Sequence, residues 1–283
     1  MPVILTQNWL NQFVQSCKEQ RGKDVSSMHC EIICGPLEKL VPKVNREVWQ
    51  YELSRHGLFT PHEWKSVETV VKKMEEQKVW EIVKQHYRFL RKRWNGPHVS
   101  IYIFPIRSVR LELGEQLPSK NGVAYRGALF LFLSTELTTE EIKALLTHEY
   151  NHVCRLDHLN LAPDKITLKD SLIIEGLGEY AVKDLHGEKL VGPWVNLYSF
   201  TEANEIWEKH FIPSLNITGV NNHFIFLYGK SRSPLPKWIG YYIGYQMVHS
   251  YEEKHGPFSN EKLYSKSAEE IIAGSKFISV TDI

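Results

Sequence analysis

The sequence is short of cysteine, of long apolar runs and of net charge, and each shortage removes a class of protein. Four cysteines in 283 residues (Cys17, Cys30, Cys34 and Cys154) are too few for a disulfide framework. Cys30 and Cys34 are spaced neither for a CxxC redox centre nor for a two-pair zinc ribbon, so all four read as ordinary reduced thiols. The longest apolar runs, such as Ala128–Leu133, fall far short of the roughly 18 residues that span a bilayer. The start, Met1-Pro-Val-Ile-Leu-Thr-Gln-Asn, carries neither the basic nor the apolar stretch of an export signal, and the expected compartment is the cytoplasm. Lys and Arg (34) against Asp and Glu (33) leave +1, too little to gather nucleic acid or anionic lipid. Repeats and low-complexity tracts are missing too, and the glycines and prolines are dispersed rather than collected into a linker.

What is present is the composition of an ordinary folded chain, 42% hydrophobic and 24% charged. Residues 1–95 read as a helical region. Thr60-Pro-His-Glu63 is a helix start, with Thr60 as cap, Pro61 at the first helical position and Glu63 closing a capping box. Val67, Val70, Val71, Met74, Val79, Ile82 and Val83 then recur at three- and four-residue steps, predicting one buried stripe on a single charged helix. Asn95-Gly96-Pro97 breaks the pattern and opens a second region, 96–283, beginning with strand-like segments at Val99–Pro105 and Ala128–Leu133. From Thr138 onward helices dominate again, down to Ala268–Ala273. The expected class is α+β, mostly helical with a small mixed sheet.

The chemistry concentrates in His148-Glu149-Tyr150-Asn151-His152, an H-E-x-x-H pattern. On a helix, residues four apart share a face with Cβ atoms about 5–6 Å apart, so both imidazoles can reach one Zn²⁺. Glu149 between them is placed to hold a metal-bound water and take its proton as general base. Five residues can match by chance, so context decides. Thr138 with Glu141 predicts a capping box, Leu137 can staple onto Ile142, and Ile142, Leu145, Leu146, Val153 and Leu156 mark one apolar face flanked by the histidines. The strand Ala128–Leu133 just upstream is expected at a sheet edge beside the metal, where an extended substrate backbone could pair with it. Leu129 and Leu131 are the substrate contacts that this expectation names.

A catalytic zinc needs a third protein ligand and an open fourth position. His158 stands six residues beyond His152, but the geometry that uses this spacing needs a glycine midway, and Arg155 is there instead. The better candidate is Glu175, in the segment 170–187. Asp170 or Ser171 can cap that helix and Gly187 can end it. Gly176 and Gly178 inside it are explained if its backbone approaches the His148 helix closely. Glu179, one turn on, can accept a hydrogen bond from the far nitrogen of a ligating histidine.

His148-Glu-Tyr-Asn-His152 with Arg155, Asp170-Ser-Leu to Glu175-Gly-Leu-Gly-Glu-Tyr180, and Gly240-Tyr-Tyr-Ile-Gly-Tyr-Gln-Met-Val248 together resemble the YjaZ-like predicted zinc-dependent proteases, a bacterial family, over roughly residues 60–255. The resemblance implies a zincin-like fold of the gluzincin type, with Zn²⁺ on His148, His152 and Glu175 and Glu149 as base, but it supplies no substrate; the leading reading, a single-zinc hydrolase of peptide bonds, names a peptide or unfolded protein. Peptide hydrolysis also calls for a donor to the developing oxyanion. Tyr241 is the first choice and Tyr245, four residues on, a candidate substrate contact, with His223, His249 and His255 as alternatives for the donor. Trp194, Trp207, Trp238, Phe224 and Phe226 read as core or cleft wall. Two competing readings are a zinc-containing binding or regulatory protein without catalysis, and a metal-free helical protein in which the pattern is a coincidence.

Overall fold

Amphipathic spacing sets most of the helices, and the apolar, β-branched segments make one small sheet. The computed structural model describes residues 2–19, 24–108, 118–230, 233–260 and 263–277. Helices α1 (Thr6–Glu19), α2 (Val25–His29), α3 (Arg46–Arg55), α4 (Trp64–Glu76) and α5 (Val79–Trp94) precede strands β1 (Ser100–Pro105), β2 (Lys120–Tyr125) and β3 (Ala128–Leu133). Then come α6 (Thr139–Leu159), α7 (Leu168–His186), α8 (Phe200–Ile206), α9 (Phe224–Tyr228), α10 (Ile239–His255) and α11 (Ala268–Gly274). The described chain is thus mostly helical with a three-stranded mixed sheet, an α+β arrangement. Among the described residues no helix is long and apolar enough to cross a membrane.

Two compact units divide the chain, residues 1–89 with 98–146 and residues 90–97 with 147–283. The division runs through α5 and α6, and the sheet groups with the N-terminal helices. In this first unit the strand order is β1-β3-β2, with β1 parallel and β2 antiparallel to β3. The expected edge position of Ala128–Leu133 is therefore corrected. β3 is the middle strand, and its unbroken apolar run is buried throughout because both faces are covered. Leu129 and Leu131, each 0% exposed, have no free strand edge and no solvent-facing side chain to offer a substrate. β2 escapes sequence reading because Lys120-Asn-Gly122 looks like a turn and the strand is only half-buried.

The capping box at Thr60 is present, with the Thr60 N–H donating to Glu63 Oε2 at 2.6 Å, and it opens a short 3₁₀ turn that leads into α4. The single helix expected beyond it is two helices. Lys78, at φ +56°, turns the chain between α4 and α5 without any Gly or Pro to announce the break.

In the second unit α7 packs against α10 through glycines. A Cβ on Gly176 would overlap the Gly244 carbonyl, and one on Gly244 would overlap the Leu172 carbonyl, so the two backbones touch where a side chain would separate them. Gly176 thus serves α10, whereas Gly178 serves the histidines of α6. The cap of α7 is Thr167, one turn earlier than expected, with Asp170 closing the capping box, and Gly187 at φ +82° ends the helix. α6 runs unbroken past Arg155. That guanidinium is 0% exposed and donates from Nη1 to the carbonyls of Tyr264 (2.8 Å) and Lys266 (2.5 Å). His158, on the last turn of α6, pairs with the Tyr264 ring at 6.2 Å and stands outside the cluster described next.

Candidate metal centre

The start of α6 is fixed by the capping box that its sequence predicts. The Thr138 N–H donates to Glu141 Oε2 at 2.8 Å and the Glu141 N–H to Thr138 Oγ1 at 3.2 Å. From that start, His148 and His152 fall on one helix face, their ring centroids 4.3 Å apart and tilted by 72°. α7 supplies the third group. Glu175 Oε2 lies 3.4 Å from His148 Nε2 and 3.3 Å from His152 Nε2, and one donor atom from each of the three residues falls within 4.8 Å of the others. Gly178 makes the approach possible, since a Cβ there would sit 2.9 Å from Cε1 of both imidazoles.

Electrostatics and hydrogen bonding test whether these residues suit a cation. The Glu175 side chain is 14% exposed and its Oε2 is buried without a hydrogen-bond partner, an expensive state for a carboxylate oxygen. Burial pushes the Glu175 carboxyl up, but the neighbouring His152 and His148 outweigh it and bring it well below the usual carboxylate range. Burial likewise opposes charge on His148, and Glu175 and Glu179 overcome it and raise the imidazole well above its ordinary value. Two ring nitrogens and one oxygen share a small space that no hydrogen bond fills. A divalent cation satisfies all three at once, and an N, N, O donor set is one that zinc takes. The residues fit a zinc ion.

Glu179 completes the arrangement. Its Oε1 is 3.3 Å from His148 Nδ1, and its Oε2 accepts the Gly192 N–H at 2.8 Å. A carboxylate at Nδ1 is suited to hold a proton there when a cation takes Nε2. Glu149, 6% exposed, is raised above the ordinary glutamate value by burial; His152 and His148 pull it down and Glu175 and Glu179 push it up.

Tyr241 is 8% exposed and lies among Trp194, Trp238 and Tyr228, at ring distances of 5.1, 5.2 and 5.4 Å. Its hydroxyl donates to that of Tyr228 at 3.2 Å. Tyr228, the partner of Tyr241, was not singled out from the sequence, because Phe224-Ile-Phe-Leu-Tyr228 reads simply as core. Burial and then Glu175 raise both phenols, Tyr228 to about 12, so both stay protonated at neutral pH. Tyr245, expected as a substrate contact, is buried one turn further along α10, its ring 5.6 Å from His249 and the charges of Glu188 and Glu179 acting on it. Trp194 and Trp238 stack at 4.9 Å as a wall beside Tyr241, whereas Trp207 is 0% exposed in the core.

The H-E-x-x-H histidines of α6 and a glutamate delivered by the next helix thus form a cluster that could hold a metal ion. The sequence profile of the family described as Predicted Zn-dependent protease (DUF2268) matches residues 79–273, and the chain belongs to that family, in agreement with its resemblance to the YjaZ-like proteins. It is similar to the Uncharacterized protein YjaZ of Bacillus subtilis (strain 168), 36% identical over 204 residues that cover 70% of this chain and 75% of the relative. A more distant likeness, 26% over 129 residues and 40% of each chain, is to the Uncharacterized protein YjfC of the same strain. No solved structure matches the chain.

Proposed function

We propose that this chain is a zinc-dependent metallopeptidase of zincin-like, gluzincin-type architecture that hydrolyses peptide bonds in peptides or unfolded proteins. His148, His152 and Glu175 would hold the ion and Glu179 would orient His148. Zinc, when bound, supplies Lewis acidity that polarises a peptide carbonyl and lowers the pKa of water. Glu149 accepts the proton of the attacking water as the new C–O bond forms, then returns it to the leaving nitrogen as the C–N bond breaks. Its burial supports that double duty, because a carboxyl raised toward the neutral range can both take a proton and give it back. The four free, buried cysteines support a reducing compartment, the cytoplasm.

The observation that carries this reading is the Glu175 oxygen left without a hydrogen-bond donor, 3.3 and 3.4 Å from two imidazole nitrogens. Protein purified without added metal should contain close to one zinc per chain. Glu149→Gln should keep that zinc and lose roughly 100- to 10,000-fold in peptide hydrolysis, whereas His152→Ala should lose both. A Glu149→Gln variant that cleaves peptides as fast as the wild type would overturn the mechanism.

A further inference from the structure

Two tyrosine hydroxyls, those of Tyr228 and Tyr241, feel the charges of Glu175 and Glu149 and are hydrogen-bonded to one another at 3.2 Å. We propose that the donor to the substrate is Tyr228, which hydrogen-bonds the scissile carbonyl oxygen as it gains negative charge, and that Tyr241 is a positioning residue that aims the Tyr228 hydroxyl. The inference rests on the peptidase reading and adds to it a catalytic residue that is not part of the H-E-x-x-H and glutamate set.

Burial decides between the two. A phenol has one proton to donate, and in the Tyr241–Tyr228 contact of 3.2 Å one hydroxyl donates and the other accepts. Tyr241 is 8% exposed and enclosed by Trp194, Trp238 and Tyr228. If it accepted instead, its own proton would be left among aromatic rings, and a buried donor without a partner is costly. Tyr228 is the more exposed residue of the two, so its proton is the one that a bound substrate can reach at less cost. Tyr241 therefore gives its proton to Tyr228, and the Tyr228 proton is left for a substrate.

The Tyr228 ring is held for this task. Phe224 and Trp238 pack on it at 4.5 and 5.1 Å, and its carbonyl accepts the Trp238 N–H at 2.8 Å. Gly229 follows at φ +57°, where a side chain would overlap the Pro236 backbone. The charges of Glu175 and Glu149 both act on the Tyr228 phenol, and Trp194, which packs on Tyr241 at 5.1 Å, follows closely on Gly192, the N–H donor to Glu179. The other candidate donors are engaged elsewhere. His223 uses one ring nitrogen on Ser171 Oγ at 2.8 Å and the other on the Ile217 carbonyl at 2.9 Å. His249 lies between Lys183 and Glu252, and His255 stacks on Tyr251 at 4.3 Å.

The test uses the full-length, zinc-loaded protein and a quenched fluorescent peptide. Tyr228→Phe, which keeps the ring and its packing, should lower kcat about 100-fold, the usual effect of losing one oxyanion donor, with KM within twofold and zinc content unchanged. Tyr241→Phe should lower kcat about fivefold with KM and melting temperature unchanged, a pattern that a merely structural role would not give. A phosphinic peptide, which mimics the tetrahedral state, gives a readout without turnover: Tyr228→Phe should weaken it about 100-fold by calorimetry and weaken product peptide less than twofold. A larger loss in Tyr241→Phe than in Tyr228→Phe, or wild-type kcat in both, overturns the assignment. Glu149→Gln run in parallel separates the two levels. If it is inactive while Tyr228→Phe is unaffected, only the donor assignment fails; if it cleaves like the wild type, the peptidase reading fails and the assignment with it.

Discussion

Glu63 in the first compact unit and Glu175 in the second are both withdrawn from water, and they meet that situation in opposite ways. Glu63, 6% exposed, is saturated with donors. Its Oε2 accepts from the Thr60 N–H and hydroxyl at 2.6 and 2.9 Å, and its Oε1 from the Ser108 N–H and hydroxyl, both at 2.6 Å. Burial pushes its carboxyl up, and the bonds from Ser108 and Thr60 outweigh it and hold the group below its ordinary value. Glu175 has imidazole nitrogens at 3.3 and 3.4 Å and a buried oxygen with no donor. A carboxylate that closes every lone pair with N–H and O–H groups stabilises a fold, whereas one that leaves a buried oxygen without a hydrogen bond between two imidazole nitrogens suits a cation.

Exchanging each carboxylate for alanine tests the contrast where its effects are largest. Glu175→Ala should lower zinc affinity by more than about 100-fold, beyond the loss seen on removing an outer partner of a ligand, and abolish hydrolysis. Competition against a chromophoric chelator measures the affinity. The metal-free form of that variant should melt within about 1 kcal/mol of metal-free wild type, because the group removed was unsatisfied. Glu63→Ala should do the reverse. It leaves the Thr60 and Ser108 amides without an acceptor and should lower stability in urea by about 2–4 kcal/mol with zinc content unchanged. Chelation of the wild type should itself lower stability, by about 4 kcal/mol if the ion had been present at 1,000 times its Kd. A Glu175→Ala protein that keeps its zinc would break the comparison.

The two glycines inside α7 sharpen the same division with smaller effects. Gly176→Ala places a methyl against the Gly244 backbone, which cannot rotate away, so α7 and α10 must separate at a cost of about 1–3 kcal/mol in an equilibrium melt. Gly178→Ala places it 2.9 Å from Cε1 of both ligand histidines. The rings must turn, zinc affinity should fall about tenfold in the same competition assay, and the gain in helix propensity, up to about 1 kcal/mol, should keep the metal-free melt near wild type. Equal effects of the two substitutions on zinc affinity would erase the distinction between the packing glycine and the ligand glycine.

Local signals were the legible ones. The ligand helix could be read because its capping box, its apolar face and its two histidines lie within 21 residues, and Glu175 because two glycines sit in a helix that would otherwise avoid them. β3 was bounded correctly at Ala128–Leu133. Its place in the sheet was not legible, because a fully apolar run says that both faces are covered and nothing about who pairs with its edges. β2, the partner that removes the edge, carries a Gly and an Asn where strands usually carry β-branched residues. Lys78 at positive φ divides what periodicity reads as one helix, since both sides keep the same phase. Tyr228 was hidden for a similar reason. An aromatic segment announces burial, and only the approach of α9 to α10 shows that one of its rings ends in a hydroxyl bonded to that of Tyr241.

The histidines extend the contrast and give its smallest measurable effect. His29 is 1% exposed, sits edge-on to Phe13 and Phe59 at 5.4 and 4.8 Å, and accepts a hydrogen bond from Gln50 Nε2 at Nδ1, 2.8 Å away. Desolvation without a carboxylate neighbour pushes it down to about 4, while the carboxylates around His148 push that imidazole up. The sign for His29 follows directly. Above about pH 6.5 it is neutral folded and unfolded; as the pH falls from there toward 4, the unfolded chain takes up a proton that the folded protein refuses, and stability is lost. His29→Asn can still accept from Gln50 but does not titrate. Its stability should therefore fall less steeply between pH 6.5 and 4.5, by up to about 1.4 kcal/mol per pH unit. Urea melts of chelator-treated protein measure this without a contribution from zinc release. An unchanged slope would mean that His29 is protonated as readily in the fold as outside it, so that aromatic burial alone does not keep an imidazole neutral here and only the carboxylates distinguish His148.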